Sequence, residues 1–100
     1  MAEEPKKLEI PLINVRHNDD DTGLVIQVDL AGASKESVDL DMGEKGFCIK
    51  ADADDFRYES CYMLAHNIKV QDTEAKFTSG LLTIHAPFQE MRRGHKVTIQ

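Results

Sequence analysis

The sequence predicts an all-β fold, a sandwich built from seven or eight short strands. Several runs alternate apolar and polar residues with a period of two, which is typical of half-buried strands. Turn-forming residues separate these runs at nearly regular intervals, and no run has a convincing helical period. These observations favour two antiparallel sheets that pack face to face around one core.

The first third of the chain contains a charged arm and the clearest strand. Residues 1–9 are charged and contain a proline, so we expect a flexible N-terminal arm. In the apolar run that follows, Pro11 confines the chain to a sheet edge or to the start of a strand. Residues 24–30 place four apolar side chains on one face and polar side chains on the other. Residues 31–37 interrupt this strand, with one helical turn capped by Ser34.

The middle of the chain predicts three further strands. Residues 38–42 alternate strictly, which indicates a strand with one solvated face. Residues 47–51 follow a glycine-bounded turn, and residues 56–63 alternate less cleanly after a short acidic turn.

The most informative stretch of the sequence predicts two short strands joined by a turn at Gly80. Ala75 and Phe77 alternate with polar residues, as in a half-buried strand. The Ser-Gly pair that follows is turn chemistry, because glycine adopts a positive φ without a Cβ clash. Pro87 cannot donate a ladder hydrogen bond, so it ends the second strand or lies at an edge. The inward faces of all strands predict a core of Ile26, Val28, Leu30, Leu40, Ile49, Tyr62, Leu64, Phe77, Leu82 and Ile84.

Length and charge limit the classes of function. One hundred residues make one domain, and a hydrophobic content of 41% with 30% charged residues fits a globular chain. The net charge of −6 argues against nucleic acid or an anionic membrane as the main partner. No stretch has the apolar length of a membrane span or a signal peptide, so we expect a cytoplasmic protein.

Chemistry-bearing residues do not form a recognisable catalytic or cofactor motif. The four histidines lack metal-ligand spacing, and the two acidic runs lack the alternating ligands of a calcium loop. Neither a nucleophile elbow nor a phosphate-binding glycine loop is present. We therefore expect no enzyme, no metal and no cofactor.

The two cysteines leave two alternatives open. Without an export signal, Cys48 and Cys61 are expected to remain reduced, as two small half-exposed side chains. If residues 47–51 and 58–64 form a hairpin, however, the two lie nearly opposite each other. They would then make a redox-sensitive cross-strand pair.

Three ordered stretches resemble small heat-shock proteins. The pattern Ala-x-Phe-x-x-Gly-Leu-Leu-x-Ile-x-x-Pro of residues 75–87 resembles the signature near the end of their α-crystallin domain. Residues 28–32, with the turn at residues 35–38, resemble the family's Val-Asp-Leu-Pro-Gly segment. Residues 97–99 resemble its C-terminal Ile-x-Ile motif. The resemblance implies an immunoglobulin-like sandwich over residues 10–87 and an extension, residues 88–100, that carries a Val-x-Ile tail.

The resemblance also implies a function and its surfaces. Members of this family are ATP-independent chaperones, or holdases, of the stress response that keep unfolding proteins soluble and assemble into oligomers. Their tail binds a groove on a neighbouring subunit, which here implies Val97 and Ile99 as the tail anchors. The groove candidates are Val38, Leu40, Met42, Ala75 and Phe77. The candidates for client contact are Leu8, Ile10 and Leu12. A tail that adds a strand to its own sheet is the alternative.

The sequence also departs from the family pattern. The long N-terminal arm is replaced by about ten residues, and the connection before residue 58 is too short for the strand that many members exchange in their dimer. A dimer would need another edge, such as residues 56–64. Ser60 replaces an arginine common in the family, and Ala31 and Ala65 replace prolines. A CS-type co-chaperone domain, or a scaffold protein on the same fold, is therefore the alternative function.

Overall fold

The protein is described here by a computed structural model, which covers residues 6–89 and 97–100. Eight strands occupy most of this part of the chain, and its helical content is two 3-10 turns, at Lys35–Ser37 and Val70–Asp72. The strands are β1 (Lys7–Glu9), β2 (Leu12–His17), β3 (Gly23–Asp29), β4 (Asp39–Gly43), β5 (Gly46–Asp52), β6 (Phe56–Met63), β7 (Glu74–Thr78) and β8 (Leu81–Pro87). The predicted all-β class is confirmed.

The strands form two four-stranded sheets. Sheet A has the order β1-β6-β5-β4 and sheet B the order β2-β3-β8-β7. All neighbours are antiparallel except β1, which runs parallel to β6. Because two residues, Ile10 and Pro11, join β1 to β2, these two strands lie at the same side of the sandwich. The edges β4 and β7 therefore both lie at the opposite side.

The core lies between the sheets and contains most of the predicted residues. Ile26, Val28, Leu30, Ile49 and Ile84 are fully buried. The half-buried residues Leu40, Leu64 and Phe77 pack against them. This agrees with alternation, since the buried residues of β3, β5 and β8 lie on strands with a neighbour on each side.

The prediction that Tyr62 belongs to the core is wrong. Its side chain is 39% exposed, because it lies near the end of β6, past the three residues that β1 covers. The ring instead stacks on Phe47, with centroids 5.8 Å apart. Ile68, which the sequence did not place in the core, is fully buried and forms an isolated bridge with Phe88.

Part of the predicted N-terminal arm is structured. Residues 7–9 form β1, which pairs with residues 56–58 of β6. Residues 1–5 lie outside the described residues, as does most of the predicted polar linker of residues 88–96. Within the described ranges, no helix is both long and apolar enough to cross a membrane.

The β7–β8 hairpin turns at Ser79 and Gly80, as predicted. Both residues have positive φ, 50° and 83°. A Cβ atom at Gly80 would lie 3.1 Å from the Ala31 Cα atom, so the turn also packs closely against the end of β3. Glycine is required here for both conformation and space.

Replacing Gly80 with alanine is expected to lower the free energy of unfolding by about 1–2 kcal/mol, because an L-residue resists this φ. Gly43→Ala is the matched control, since a Cβ there meets its nearest atom at an ordinary 3.5 Å. Urea denaturation of both variants checks the prediction. Equal losses at the two positions would show that the turn does not depend on glycine at Gly80.

Candidate binding surfaces

The edge formed by β4 carries three of the five groove candidates. Leu40 and Met42 are half-buried on one face of the strand, and Asp39 and Asp41 are exposed on the other. Val38 is half-buried just before β4 begins. Since β4 pairs only with β5 among the described strands, its outer backbone groups are available to another chain.

The edge formed by β7 carries the other two candidates. Phe77 is half-buried and packs against the core, as predicted. Ala75 is exposed, so it lies at the rim rather than inside the groove. The half-buried apolar side chains of β4 and β7 thus form a strip along two free edges of the sandwich.

The Val-x-Ile tail is not packed in this structure. Val97 is 78% exposed and Ile99 is 93% exposed. Residues 97–100 belong to no strand, so the tail does not extend a sheet of its own chain. Both apolar side chains are therefore accessible to another chain.

A second apolar surface lies where the chain passes from β1 to β2. Leu8, Ile10 and Leu12 are 63%, 80% and 78% exposed. Ile10 and Leu12 line a cleft of about 330 Å³. Its other lining residues are Glu9, Pro11, Asp29, Ala31, Phe56 and Tyr58. The three predicted client-contact residues are thus exposed, and two of them line this cleft.

Tyr58 fixes one wall of this cleft. Its hydroxyl donates a hydrogen bond to the Ala31 carbonyl oxygen at 2.8 Å, and its ring packs edge-on against Phe56. Burial raises the pKa of the Tyr58 hydroxyl, and the carboxylates of Asp29 and Glu9 raise it further. The cleft is therefore acidic as well as apolar.

A charge cluster at the β5–β6 turn was not predicted from the sequence. Asp52 lies opposite Arg57 in the ladder, and the Arg57 Nε donates to the Asp52 Oδ1 atom at 2.7 Å. The Lys6 Nζ atom lies 4.0 Å from the same oxygen and donates to the Ala53 carbonyl oxygen at 2.8 Å. The contact between Asp52 and Arg57 could have been predicted, because the two residues lie five apart in the sequence across a short turn.

This cluster predicts a measurable titration shift. The Arg57 hydrogen bond holds the pKa of Asp52 below its ordinary value, and the charge of Lys6 adds to the effect. The pair therefore stabilises the folded state above the ordinary carboxyl pKa, and this small contribution is lost as the pH falls through the lowered value. Arg57→Gln is expected to raise the pKa of Asp52, measured by carboxyl ¹³C NMR. An unchanged pKa would contradict the assigned contact.

Two of the four histidines meet at one end of the sandwich. The rings of His17 and His66 lie 5.1 Å apart, and both contact Phe88. The His17 Nδ1 atom lies 2.5 Å from the Asp21 Oδ1 atom. Sequence spacing alone could not bring residues 17 and 66 together, because the contact depends on the path of the loop before β7.

Cys48 and Cys61 face each other across β5 and β6, as the hairpin alternative requires. Their sulfur atoms are bonded, with Cα atoms 4.0 Å apart. The expectation of two reduced thiols is therefore not what this structure shows. Direct opposition in the ladder brings the two Cβ atoms within bonding range.

Comparison with solved structures finds small heat-shock proteins. Heat shock protein 16.0 from Schizosaccharomyces pombe matches with a TM-score of 0.71 and 18% identity, over 92% of this chain and 76% of that one. HSP18.5 from E. histolytica matches with a TM-score of 0.72 and 12% identity, over 91% and 99%. The hspA protein of Xanthomonas axonopodis matches with a TM-score of 0.70 and 13% identity, over 81% and 95%.

The comparisons by sequence found no relative, whereas the comparison by structure did. No protein-family model matches the chain, and no curated protein matches it. At the identities found, the structural likeness establishes the fold, and it agrees with the resemblance seen in the hairpin and tail motifs. The chain therefore has the immunoglobulin-like β-sandwich fold of the α-crystallin domain of small heat-shock proteins.

Proposed function

We propose that this protein is a small heat-shock-like, ATP-independent holdase that self-assembles through its C-terminal tail. One observation carries the proposal. The half-buried strip along the free edges of β4 and β7 occurs in the same chain as an exposed Val-x-Ile tail. A binding edge and a matching ligand in one chain favour a protein that works through contacts with other chains rather than through catalysis.

The tail and the groove complement each other physically. In an extended segment, Val97 and Ile99 project to the same side, because side chains alternate with a period of two. Their backbone can pair with the free edge of β4 or β7, and their side chains can enter the strip beside Leu40 and Phe77. Burying the two side chains is worth about 3–6 kcal/mol before the costs of association. The resulting contact is weak and reversible, which suits an oligomer that exchanges subunits.

The neighbouring structures support assembly. A small heat-shock protein from Xylella fastidiosa, with a TM-score of 0.67 and 13% identity to this chain, has a distinct high order structure. For this chain we propose a homodimer or larger homo-oligomer. Since residues 53–55 leave no room for an exchanged strand, the dimer would use the outer edge of β6 at residues 59–63, beyond the three residues that β1 covers.

Client binding is assigned to the exposed apolar surface of Leu8, Ile10 and Leu12. Exposed contiguous apolar side chains mark interaction sites in otherwise polar proteins. Unfolding chains present apolar segments and unpaired backbone groups, which this surface and the free edges of β4 and β7 can hold without nucleotide.

We place the protein in the cytoplasm, where a disulfide is usually transient or redox-sensing. The Cys48–Cys61 bond would then make the β5–β6 hairpin responsive to oxidants. Reduction is expected to lower the free energy of unfolding by up to about 3 kcal/mol, since the bond closes a short loop. Urea denaturation with and without reductant measures this, and Cys48→Ser/Cys61→Ser is the control that should not respond. A wild-type stability that reductant leaves unchanged would remove the redox role.

A CS-type co-chaperone or scaffold function is the second candidate. The short connection between β5 and β6 favours it, because that connection lacks a strand to exchange with a partner. Such a protein would not need a tail that binds its own groove.

Light scattering coupled to size exclusion separates the two candidates. The full chain is expected to form dimers or larger species that become smaller when the chain is truncated after Gly94. If both proteins run as monomers at high concentration, the groove-and-tail model fails, and the co-chaperone or scaffold candidate leads.

A further inference from the structure

The Cys48–Cys61 disulfide lies on the outer face of sheet A, away from the core. Phe47 and Ile49, on either side of Cys48, are buried, whereas Cys48 itself is half-buried and Cys61 is exposed. The two cysteines are directly opposite each other in the ladder, so the bond runs across the two strands. The two sulfur atoms therefore have different neighbours, one on each side of the hairpin.

Strand β4 flanks the Cys48 side of the bond. Asp41 is the ladder partner of Cys48 on that strand, and its exposed side chain lies on the same outer face. Directly opposed side chains have Cβ atoms about 5 Å apart. A thiolate attacks a disulfide sulfur along the line of the S–S bond, from the side away from the sulfur that leaves. The path to the Cys48 Sγ atom therefore meets the side chain of Asp41, whose carboxylate also repels a thiolate.

The Cys61 side of the bond is open. Strand β1 pairs with residues 56–58, and within the described chain no strand lies beside residues 59–63. The neighbours of Cys61 on the same face of β6 are Glu59 and Met63, and Met63 is 82% exposed. A thiolate can therefore reach the Cys61 Sγ atom in line with the bond, across the free edge of β6.

The stability of the leaving thiolate has a smaller and opposite effect. Attack on Cys61 expels the thiolate of Cys48, which the neighbouring carboxylate of Asp41 disfavours. Asp41 is exposed, and in water one such charge changes a rate by about fivefold or less. A side chain across the line of approach excludes the attacking thiolate from that line, so access decides which sulfur reacts.

We propose that Cys61 is a site of reversible modification by small thiols, and that Cys48 reverses the modification. The small thiolate bonds to the Cys61 Sγ atom while the bond to Cys48 breaks. The electron pair of the broken bond stays on the Cys48 Sγ atom, which takes a proton from water. One disulfide replaces another, so no oxidant or reductant is consumed. Once deprotonated, Cys48 lies opposite the modified Cys61, attacks it and releases the small thiol.

The charges on the same face select the class of thiol. Asp39, Asp41 and Glu59 place three carboxylates on the outer face around the bond. Lys50 lies between Asp39 and Glu59 in the ladder, and its Nζ atom is 3.9 Å from the Glu59 Oε1 atom. One ammonium group thus meets three carboxylates, so a thiol that carries an ammonium group is preferred over one that carries a carboxylate.

The test maps the modified sulfur in the full chain. Limiting cysteamine is added at a concentration where the chain is monomeric, because a partner on the free edge of β6 would cover Cys61. Free thiols are then trapped with N-ethylmaleimide. Trypsin separates the cysteines into peptides 46–50 and 58–69, which mass spectrometry identifies without reductant. We expect at least about fivefold more cysteamine on Cys61 than on Cys48. Equal amounts, or an excess on Cys48, would overturn the proposal.

Two substitutions with the same change in charge test whether β4 directs the reaction. Asp41→Ala opens the line of approach to Cys48 and should raise the share of adduct on Cys48 at least about threefold. Asp39→Ala removes a carboxylate from the same face of the same strand, opposite Lys50, and should leave the share unchanged. Equal shares in the two variants would overturn the assigned role of β4.

The class of thiol is tested by comparing cysteamine with 3-mercaptopropionate. Each rate is divided by the rate of the same thiol with hydroxyethyl disulfide, a neutral reference, which removes intrinsic differences in reactivity. Cysteamine should be favoured at least about threefold at low salt, and the preference should shrink at high salt. A preference for 3-mercaptopropionate, or none, would overturn the assigned class.

This exchange rests on the redox role proposed for the bond and names its reacting sulfur. Urea denaturation with and without reductant separates the two. If reductant lowers the stability but the adduct forms on Cys48, the redox role stands and the assignment of Cys61 is wrong. If the adduct forms on Cys61 and the stability is unchanged, the exchange stands and the stabilising role fails. If the bond is inert to thiols and to reductant, both fail.

Discussion

Replacing Val97 and Ile99 together with alanine is expected to weaken the intersubunit contact about 30- to 700-fold. The two substitutions remove about five buried carbon groups, worth at most about 4 kcal/mol, and part of this is offset by lower costs of association. Both side chains are exposed in a single chain, so the loss should appear only in assembly. Sedimentation velocity over a concentration series measures the dissociation constant.

A double-mutant cycle shows where the tail binds. As a single substitution, Leu40→Ala should weaken assembly. In the Val97→Ala/Ile99→Ala chain the same substitution should have a smaller effect, because the contact is already lost. Thr83→Ala, on the inner strand β8, is the control for general loss of stability. Full additivity of the tail and Leu40 effects would place the tail somewhere other than the β4 edge.

Ile84→Ala is expected to lower the free energy of unfolding by about 2–5 kcal/mol, because the side chain is fully buried at the centre of β8 and its loss leaves a cavity. For a domain whose whole stability is about 5–15 kcal/mol, this is a large fraction. Ile99→Ala deletes the same atoms from a side chain that is 93% exposed, so its effect on unfolding should stay within about 0.5 kcal/mol.

Urea denaturation at low protein concentration, where assembly does not contribute, compares the two isoleucine variants. A loss at Ile99 comparable with that at Ile84 would mean that the tail packs on its own sandwich. A negligible loss at Ile84 would contradict the arrangement of the core.

The inner strands could be predicted because alternation records burial directly. Residues 24–30 and 81–87 each cross the sandwich beside two other strands, so their inward faces must be apolar, and the period of two is clear. The turn at Gly80 was predictable for a different reason. A positive φ restricts the choice of residue, and Ser-Gly satisfies it.

The edges of the sandwich were harder to predict. Strand β1 has no apolar period, and its partner β6 lies about fifty residues later in the chain, so no local pattern reveals the pairing. Tyr62 alternates as a core residue should, but the covering strand ends before it. Ile68 lies in the connection after β6 and joins the core, and its bridge with Phe88 is a long-range contact that the local sequence does not reveal.

Among the candidate surfaces, too, some residues were predictable from local alternation and others depended on long-range contacts. Leu40, Met42 and Phe77 followed from alternation on two strands, and the resemblance to small heat-shock proteins indicated that these strands form one groove. The Lys6 contact with Ala53 and Asp52 depends on how the chain crosses between sheets, which spacing along the sequence does not specify.

Suppression of client aggregation without ATP tests the proposed function most directly. A thermally unfolding client is followed by light scattering with increasing amounts of the full chain, in a buffer free of nucleotide. Scattering is expected to fall as the chain approaches equal mass with the client, and ATP is expected to leave the result unchanged. The triple substitution Leu8→Ser/Ile10→Ser/Leu12→Ser should reduce this suppression. Scattering that stays unchanged at a large excess of the chain would contradict the holdase function.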